Sequence, residues 1–248
     1  MSVAYNFYII VVKEVDISLT IIVPFFNEEE YLKKSVDRLL KLNCYEKIIL
    51  FDDCSTDNSY QIAKKIQSSY PDIELHQHIK NTGKGGCIIS AKKFVDTSHV
   101  IVHDADLEYD PQDISRLYNE SLKYPNDLIL GSRTIGNIKR YKKYKGLVVI
   151  NQMLSKLFSI LNSYKISDIA SCYMLVPTSF LKKYISEEKG FGIEVEILSK
   201  VLKTNRGIRE LPINYSARSY SQGKKIKISD GINIFIKIFK YRKRKDLP

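Results

Sequence analysis

Acidic residues directly follow a short apolar run in the segment VIVHDADLEYDP, residues 100–111. Asp104, Asp106 and Glu108 alternate with other residues, so in an extended chain their carboxylates lie on one side. Carboxylates this close repel one another unless a cation lies among them. Mg²⁺ and Mn²⁺ prefer oxygen ligands, and proteins often hold them with one or two carboxylates together with substrate phosphates. The spacing therefore predicts a divalent metal site at Asp104 and Asp106, with Glu108 as a third ligand.

A glycine-rich segment, NTGKGGCIISAKK (residues 81–93), precedes this acidic run. Its glycines flank Lys84 at the predicted start of a helix, where backbone N–H groups and an ammonium can bind phosphate. The spacing of a Walker loop is missing, and no GxGxxG follows the first predicted strand, which argues against a dinucleotide-dependent oxidoreductase. Taken alone, the motif leaves phosphate contact at Lys84 open.

Polar residues also end two earlier strands, in VPFFNEEE and FDDCSTDNS. Asn27 and Glu28 lie at the opening of a helix, where Asn27 could equally be an N-cap. Asp52 and Asp53 end the next strand, and capping explains two adjacent acids less well. Ligands of open α/β sheets bind at the carboxyl ends of the strands, so we expect these side chains to share one edge with the DxD acids.

Short β-branched runs alternate with longer helical patterns from about residue 18, which predicts an α/β fold with a mostly parallel sheet flanked by helices. The predicted strands are 19–24, 47–52, 73–78, 99–104 and 127–132. The predicted helices between them are 28–41, 57–69, 84–95 and 111–124. The less regular second half contains predicted helices at 146–165, 192–203 and 230–245, and one or two strands at 207–218 broken by Pro212.

The 248-residue chain carries 39 Lys and Arg against 28 Asp and Glu, a formal net charge of +11. Such an excess indicates a polyanionic partner: a nucleic acid, a phosphorylated substrate or an anionic membrane surface. The cysteines are scattered without a CxxC pair, so we expect reduced thiols and no zinc site. No run approaches the roughly 18 apolar residues of a membrane span, and YNFYIIVV lacks the basic start of a signal peptide. We therefore expect a cytoplasmic protein that is peripheral at the membrane.

The ordered segments VPFFNE, DDCSTDNS, NTGKG, HDADLEYDP and GSR resemble glycosyltransferase family 2, the GT-A fold enzymes, and especially its dolichyl- or polyprenyl-phosphate mannosyl- and glucosyltransferases. The similarity continues through SDIASCYMLVPTSFLKKY, GFGIEVEI and IRELPINYSARSYSQGKKIKISDG, and so covers about residues 18–242. It implies a Rossmann-like nucleotide-sugar-binding fold with a C-terminal helical and strand elaboration. It also implies an inverting hexosyltransferase that uses Mg²⁺ or Mn²⁺ and a GDP- or UDP-linked sugar.

The resemblance also implies roles for individual residues. Nucleotide-sugar binding falls to Pro24, Asn27, Glu28, Asp53, Lys84, Asp104, Ala105 and Asp106. The metal ligands are Asp104, Asp106 and Glu108. The acceptor or the diphosphate is bound by Arg133, Arg218 and Lys224. Catalysis is assigned to Asp106, Arg133 and Asp168.

Two segments depart from the family pattern. SDIASCYM keeps Asp168 but loses the usual Gly or Thr context, and EVEI has Val195 in place of Pro while it retains Glu194. A lipid-phosphate acceptor is already ionised near neutral pH, so Asp168 would then orient other groups. A sugar-hydroxyl acceptor, as in cell-surface polysaccharide synthesis, needs a base, for which Asp168 and Glu194 are the candidates.

Basic segments adjoin two apolar helices. The run KRYKKYK, residues 139–145, lies between Arg133 and the apolar helix 146–165, and the helix 230–245 combines Ile and Phe with Lys and Arg. Each basic residue near an anionic leaflet contributes roughly 1 kcal/mol of attraction. We therefore expect peripheral contact with an anionic membrane. A solvated basic loop and a core or dimer role for the 146–165 helix are the alternatives.

We divide the chain into an N-terminal extension (1–17), a catalytic domain (18–228) and a basic amphipathic C-terminal helix and tail (229–248). The catalytic domain splits into a nucleotide-sugar half (18–133) and an acceptor half (134–228).

Three other function classes are weighed against a glycosyltransferase. A nucleic-acid-binding protein would explain the charge and the Tyr residues among Lys, but the acidic cluster would repel a nucleic-acid backbone. A sugar nucleotidyltransferase would carry a Gly-rich basic loop after its first strand, and VPFFNEEE has none. A non-catalytic sugar-nucleotide binder stays open, although the intact carboxylates favour an enzyme.

Overall fold

The computed structural model describes residues 17–136, 145–218 and 228–242. The strands are β1 Leu19–Phe25, β2 Lys47–Asp52, β3 Ile73–Gln77, β4 His99–Val102, β5 Leu128–Ser132, β6 Met174–Pro177 and β7 Ile208–Pro212. The helices are α1 Leu32–Leu39, α2 Ser59–Ser69, α3 Lys84–Ala91, α4 Gln112–Lys123, α5 Lys145–Asn162, α6 Thr178–Tyr184, α7 Ile193–Lys203 and α8 Ile228–Tyr241. The α/β class and the mostly parallel sheet are confirmed.

The strands form one sheet in the order β3-β2-β1-β4-β6-β5-β7. Neighbouring strands are parallel except at β6, which is antiparallel to both β4 and β5. The sequence does not predict strand β6 or helix α6, because the apolar run MLVP shows no alternation and passes directly into the seven residues of α6. Strands from both predicted halves of the catalytic domain therefore contribute to the same sheet.

The core lies between the sheet and the helices on its two faces. Every residue of β1 and of β4 is buried, as expected for central strands with both faces covered. Helix α1 buries Leu32, Val36 and Leu39, which recur at helical spacing along one side.

The direction of the strands gathers the site residues at one edge. Because β6 alone runs the opposite way, the carboxyl ends of the other strands lie along the same edge of the sheet. The chain leaves β1 toward β2 on one side, and β4 pairs with β1 on the other. The edge beside β1 and β4 is therefore a topological switch point, where open α/β sheets bind ligands.

The second half surrounds this edge with helices and a short extended segment. Strand β7 ends at Pro212, as the sequence predicts, and Tyr215 then forms an isolated antiparallel bridge with Tyr109. Helix α8 packs against α5 and α7. In the part of the chain that the structure describes, no helix combines the length and the apolar character that crossing a membrane requires.

Candidate active site

A cavity of about 440 Å³ opens at the switch point. The predicted site residues in its lining are Pro24, Glu28, Asp53, Lys84, Asp104, Ala105, Asp106, Glu108, Arg133 and Arg218. Within the described residues, Asn27 and Asp168 are not part of the lining, and Lys224 lies outside the described ranges. The strand order thus brings together residues that lie up to 194 positions apart, from Pro24 to Arg218.

Lys84 lies between two carboxylates. Its Nζ atom is 2.9 Å from Asp104 and 3.0 Å from Glu194. Burial opposes the charge of Lys84, but the neighbouring Asp104 raises its pKa well above the usual range. Burial likewise opposes ionisation of Asp104, and Lys84 lowers the pKa of that carboxyl. Lys84 therefore stays charged and holds Asp104 ionised in the lining of the cavity.

Arg218 supplies the second cation of the acidic cluster. Its guanidinium lies 3.3 Å from Glu28, 3.3 Å from Asp106 and 3.8 Å from Glu108. Its Cζ atom also lies over the ring of Tyr31, 4.9 Å from the ring centre. Burial, together with the nearby charges of Asp104 and Glu108, raises the pKa of Asp106 to about 7. The cluster therefore still has an excess of negative charge with Arg218 in place.

Glu108 binds the chain segment that carries Arg218. One carboxylate oxygen accepts a hydrogen bond from the Tyr215 hydroxyl, and the other accepts the Arg218 backbone N–H at 2.9 Å. The Glu108 carbonyl accepts the Ser216 N–H at 2.8 Å. The predicted third metal ligand thus orients residues 215–218 at the mouth of the cavity.

Arg133 and Asp168 form a bidentate ion pair. The Nε and Nη2 atoms of Arg133 donate to the two oxygens of Asp168 at 2.8 Å each, and the Arg133 backbone N–H donates at 2.9 Å. Asn151 on α5 donates a further hydrogen bond at 2.9 Å. Asp168 is fully buried, which would raise its pKa, but Arg133 lowers it below the usual value. A carboxylate with these partners accepts a proton poorly, so its geometry suits a positioning role.

Asp53 holds the loop before α3. Its carboxylate accepts the backbone N–H of Thr82 at 2.9 Å and of Gly83 at 2.6 Å. The same carboxylate binds the Thr82 hydroxyl at 3.1 Å and His78 Nδ1 at 2.8 Å. Burial opposes ionisation of Asp53, but these hydrogen bonds together lower its pKa below the usual value. Its oxygens therefore fix the segment that leads into Lys84.

Asn27 joins two loops at the cavity edge. Its side chain accepts the Thr56 backbone N–H at 2.8 Å, and its own N–H donates to Ser55 at 3.0 Å. Helix α1 begins only at Leu32, so Asn27 is not its N-cap.

The glycines around Lys84 make room for another part of the protein backbone. A Cβ atom on Gly83 would lie 2.6 Å from the carbonyl oxygen of Lys189, and one on Gly85 would lie 2.1 Å from that of Glu188. Gly83 also has a φ of +88°, which favours glycine. The close approach of residues 188–190 therefore explains why glycine occupies these two positions. The sequence did not reveal this contact.

The carboxylates suit a divalent cation held partly by a substrate. Six carboxylates and three cations line the cavity, and this excess favours a hard cation with oxygen ligands. Among the described residues, however, the three-ligand cluster within 4.8 Å is Asp53, His78 and Cys87. The Asp53 carboxylate of this second group already binds His78 and the N–H groups of Thr82 and Gly83, so hydrogen bonding accounts for the arrangement. Asp104 and Asp106 would supply one or two ligands and leave the remainder to phosphate and water.

Sequence reasoning missed several residues that support this site. His78 is hydrogen-bonded to Asp53, and Asn151 donates a hydrogen bond to Asp168. The backbone carbonyl of Glu188 lies against Gly85, beside Lys84. None belongs to a local motif, so only the folded contacts reveal them. Glu194, a candidate base in the sequence, pairs with Lys84.

The fold and the acidic cavity together define a GT-A glycosyltransferase. The profile of Glycosyl transferase family 2 matches residues 20–185. The chain belongs to this family, which selects a glycosyltransferase over the nucleic-acid-binding and nucleotidyltransferase alternatives.

Three curated relatives have names that specify a polyprenyl-phosphate acceptor. The chain is 27% identical over 240 residues to the UDP-N-acetylglucosamine--dolichyl-phosphate N-acetylglucosaminyltransferase of Methanococcus voltae, covering 88% of this chain and 93% of that protein. It is 26% identical to the dolichol-phosphate mannosyltransferase of Pyrococcus furiosus, covering 83% of this chain and 58% of that protein. It is 23% identical to the undecaprenyl-phosphate mannosyltransferase of Micrococcus luteus, covering 82% and 85%.

Solved structures support the fold. The glucosyl-3-phosphoglycerate synthase of Mycobacterium tuberculosis, in complex with Mn²⁺, uridine diphosphate and phosphoglyceric acid, aligns with a TM-score of 0.68 at 14% identity. The alignment covers 91% of this chain and 78% of that one. The same enzyme has been solved with Mg²⁺ and uridine diphosphate. At this identity, the likeness concerns the GT-A fold alone.

Proposed function

We propose that the protein transfers a hexose from a nucleoside diphosphate sugar to a polyprenyl phosphate at a membrane surface. One observation carries this proposal: the acidic cavity continues into an apolar wall from α5 and α8. That wall contains Leu147, Val148, Ile150, Leu154 and Ile234. A polyprenyl phosphate fits this arrangement, because its phosphate can pair with Arg133 in the polar part of the lining while its chain lies along the apolar wall. The acceptors named for the curated relatives agree with this choice.

Lys84 and Arg218 are the proposed ligands of the donor diphosphate. Both guanidinium and ammonium groups bind phosphate through charge-assisted hydrogen bonds, and both lie on the acidic side of the cavity. Asp104 and Asp106 would hold Mg²⁺ or Mn²⁺, which supplies Lewis-acid stabilisation of the departing diphosphate when bound. Two apolar cavity residues would lie beside the nucleotide: Pro24, near the end of β1, and Ala105, in the segment that follows β4.

Arg133 is the proposed ligand of the acceptor phosphate. Its Nε and Nη2 atoms are used by Asp168 and by the carbonyl of Ala170. Its Nη1 atom donates to none of the described residues, and a guanidinium has five N–H groups to offer. Arg133 can therefore bind a phosphate oxygen while Asp168 keeps its plane fixed.

The acceptor phosphate needs no general base, since it is ionised near neutral pH. One of its oxygens would attack the anomeric carbon as the bond to the nucleoside diphosphate breaks, and a single displacement of this kind inverts the configuration. A hydroxyl acceptor would instead need a base. Both sequence candidates, Asp168 and Glu194, are engaged in buried ion pairs. We therefore favour lipid phosphate over a glycan hydroxyl.

Exposed apolar stripes on α5 and α8 support the proposed location at a membrane surface. On α5 the exposed side chains are Val149, Ile150, Met153 and Ile160, and on α8 they are Ile232, Phe235, Ile236 and Phe239. Each set recurs at helical spacing, and the two helices pack together. Contiguous apolar surface of this kind marks an interaction site. The basic sequence beside both helices favours an anionic membrane over a second protein chain.

Product analysis with purified protein tests the proposal. The protein is incubated with a panel of GDP- and UDP-linked sugars and Mn²⁺, with undecaprenyl phosphate in vesicles or with soluble oligosaccharides as acceptors. We expect sugar to be transferred to the lipid phosphate, transfer to stop when EDTA removes the metal, and transfer to return with Mn²⁺ or Mg²⁺. Transfer to oligosaccharide hydroxyls alone would show that the acceptor assignment is wrong.

A further inference from the structure

The loop between α6 and α7 is fixed by an unusual number of backbone hydrogen bonds. The carboxylate of Glu196 accepts the N–H groups of Ser186, Glu187 and Glu188 at 3.1, 3.3 and 2.8 Å. Glu196 is fully buried and also pairs with Lys200 at 2.8 Å. Residues 186–188 are thereby attached to helix α7.

This loop lies directly against the glycines that flank Lys84. The Lys189 carbonyl accepts the Gly86 N–H at 2.9 Å. The Glu188 and Lys189 carbonyls lie so close to Gly85 and Gly83 that neither position has room for a Cβ atom. The position of residues 188–189 therefore determines where α3 begins, and with it where Lys84 lies.

The other side of the loop is held by α8. One oxygen of Glu188 lies 2.8 Å from Lys240, 2.9 Å from Lys237 and 2.7 Å from the Tyr241 hydroxyl. Glu188 is almost entirely buried. A buried carboxylate that pairs with two cations makes charge-assisted hydrogen bonds, which are stronger and better directed than neutral ones.

We infer that Glu188 is a positioning residue for the donor nucleotide, because it joins α8 to the loop that fixes Lys84. The inference rests on the proposed use of Lys84 at the donor diphosphate. Helix α8 then has two roles. Its exposed apolar side faces the membrane, and its Lys237, Lys240 and Tyr241 side chains hold the donor site in its binding geometry.

The physical basis is preorganisation. A phosphate ligand binds best when its cation is already held in place, because no ordering cost is then added on binding. Without the Glu188 carboxylate, Lys237 and Lys240 lose their shared partner, while Glu187 still lies 3.3 Å from Lys240 and still accepts the Tyr241 hydroxyl at 3.0 Å. The loop is then held less firmly against Gly83 and Gly85. We expect the affinity for the donor nucleotide to fall about tenfold while the protein stays folded.

Calorimetric titration of the full chain with UDP or GDP in the presence of Mn²⁺ tests this inference. The variants are Glu188→Gln, Glu188→Ala and Lys240→Met, with Glu120→Gln as the control, because Glu120 forms an exposed ion pair with Lys123 on α4. We expect Glu188→Ala to weaken nucleotide binding more than Glu188→Gln, which keeps a hydrogen-bond acceptor. The control should bind like the wild type. Circular dichroism melting identifies the folded variants, and Lys240→Met and Glu188→Gln serve if Glu188→Ala does not fold.

A double-mutant cycle with Lys84 separates positioning from general stability. In the Lys84→Met background, Glu188→Gln should have no further effect on nucleotide affinity, since its effect acts through Lys84. In turnover assays, the donor KM should rise while the acceptor KM is unchanged. Equal nucleotide affinity in wild type and Glu188→Gln, or full additivity with Lys84→Met, would overturn the inference alone. Failure of the wild type to bind either nucleotide would overturn the proposed function, and the inference with it.

Discussion

The guanidinium of Arg218 lies 3.3 Å from the carboxylate of Asp106, so a cation of the protein itself already occupies the acidic cluster. The same guanidinium reaches Glu28 on the opposite side. A divalent ion held by Asp104 and Asp106 would meet this positive charge at close range. Such an ion would therefore compete with Arg218 for Asp106, and a bound diphosphate would offer a ligand to both cations.

Replacement of Arg218 should affect metal and nucleotide affinity in opposite directions. We expect Arg218→Met to bind Mn²⁺ alone several-fold more tightly, because a competing charge is removed. The same variant should bind Mn²⁺ with UDP or GDP more weakly, since one phosphate ligand is lost. Calorimetric titration measures both constants. Arg206→Met is the control, because Arg206 donates to the Asn126 carbonyl away from the cavity. A parallel loss of both affinities would contradict the competition.

The raised pKa of Asp106 makes the metal-free protein less stable at higher pH. Folding raises this pKa from an ordinary 3.8 to about 7, so protonation favours the folded state. The stabilisation is complete below pH 3.8 and is lost as the pH rises through about 7.

Asp106→Asn should therefore gain stability over the wild type as the pH increases. Between pH 5 and pH 8 we expect the gain in the free energy of unfolding to increase by on the order of 2 kcal/mol. Urea denaturation with EDTA present measures it. Asp37→Asn is the control, because Asp37 forms an exposed pair with Lys33. A gain that is independent of pH would contradict the burial argument.

Removal of one partner of the Arg133–Asp168 ion pair should strongly lower the free energy of unfolding. Asp168→Asn leaves a buried guanidinium without its counter-charge, and we expect a loss of about 3 to 5 kcal/mol in the free energy of unfolding. Arg133→Met/Asp168→Leu should recover a large part of that loss, because neither charge is then buried. Turnover should stay low in the double variant, since the proposed phosphate ligand is absent. Urea denaturation and product formation measure the two effects, and a double variant as unstable as Asp168→Asn would contradict the explanation.

The apolar stripe of α8 should determine membrane binding. Ile232→Ser/Phe235→Ser/Ile236→Ser removes three exposed side chains, each of which contributes roughly 1.5 to 3 kcal/mol when fully buried. We expect binding to vesicles of anionic phospholipid to fall more than tenfold in a flotation assay, with little change in the melting temperature. Ile79→Ser is the matched control, because Ile79 is a fully exposed apolar residue that belongs to neither α5 nor α8. Undiminished flotation of the triple variant would exclude α8 as the membrane contact.

Local patterns explain which parts of the fold were predictable. The strands of the first half and their helices were predicted because runs such as LTIIVP and KIILFD carry a periodicity within a few residues. Strand β6 was not predicted, because MLVP shows no alternation and passes directly into α6, and its antiparallel pairing with β4 and β5 depends on contacts distant in the chain. Helix α3 ends at Ala91, earlier than predicted, since its end depends on tertiary packing.

The sequence by itself determined the α/β class, the family and the gathering of acids at one edge of the sheet. These properties follow from residue order and short-range spacing, because parallel strands must present their carboxyl ends together. Only the tertiary structure decided the partners: Arg218 at Asp106, Glu194 at Lys84, Asp168 at Arg133, and Glu188 at α8. Each pair joins residues distant in the chain, so its formation depends on how the elements pack and on which charges are buried together. The same packing explains the glycines beside Lys84, whose neighbours are the carbonyls of residues 188 and 189.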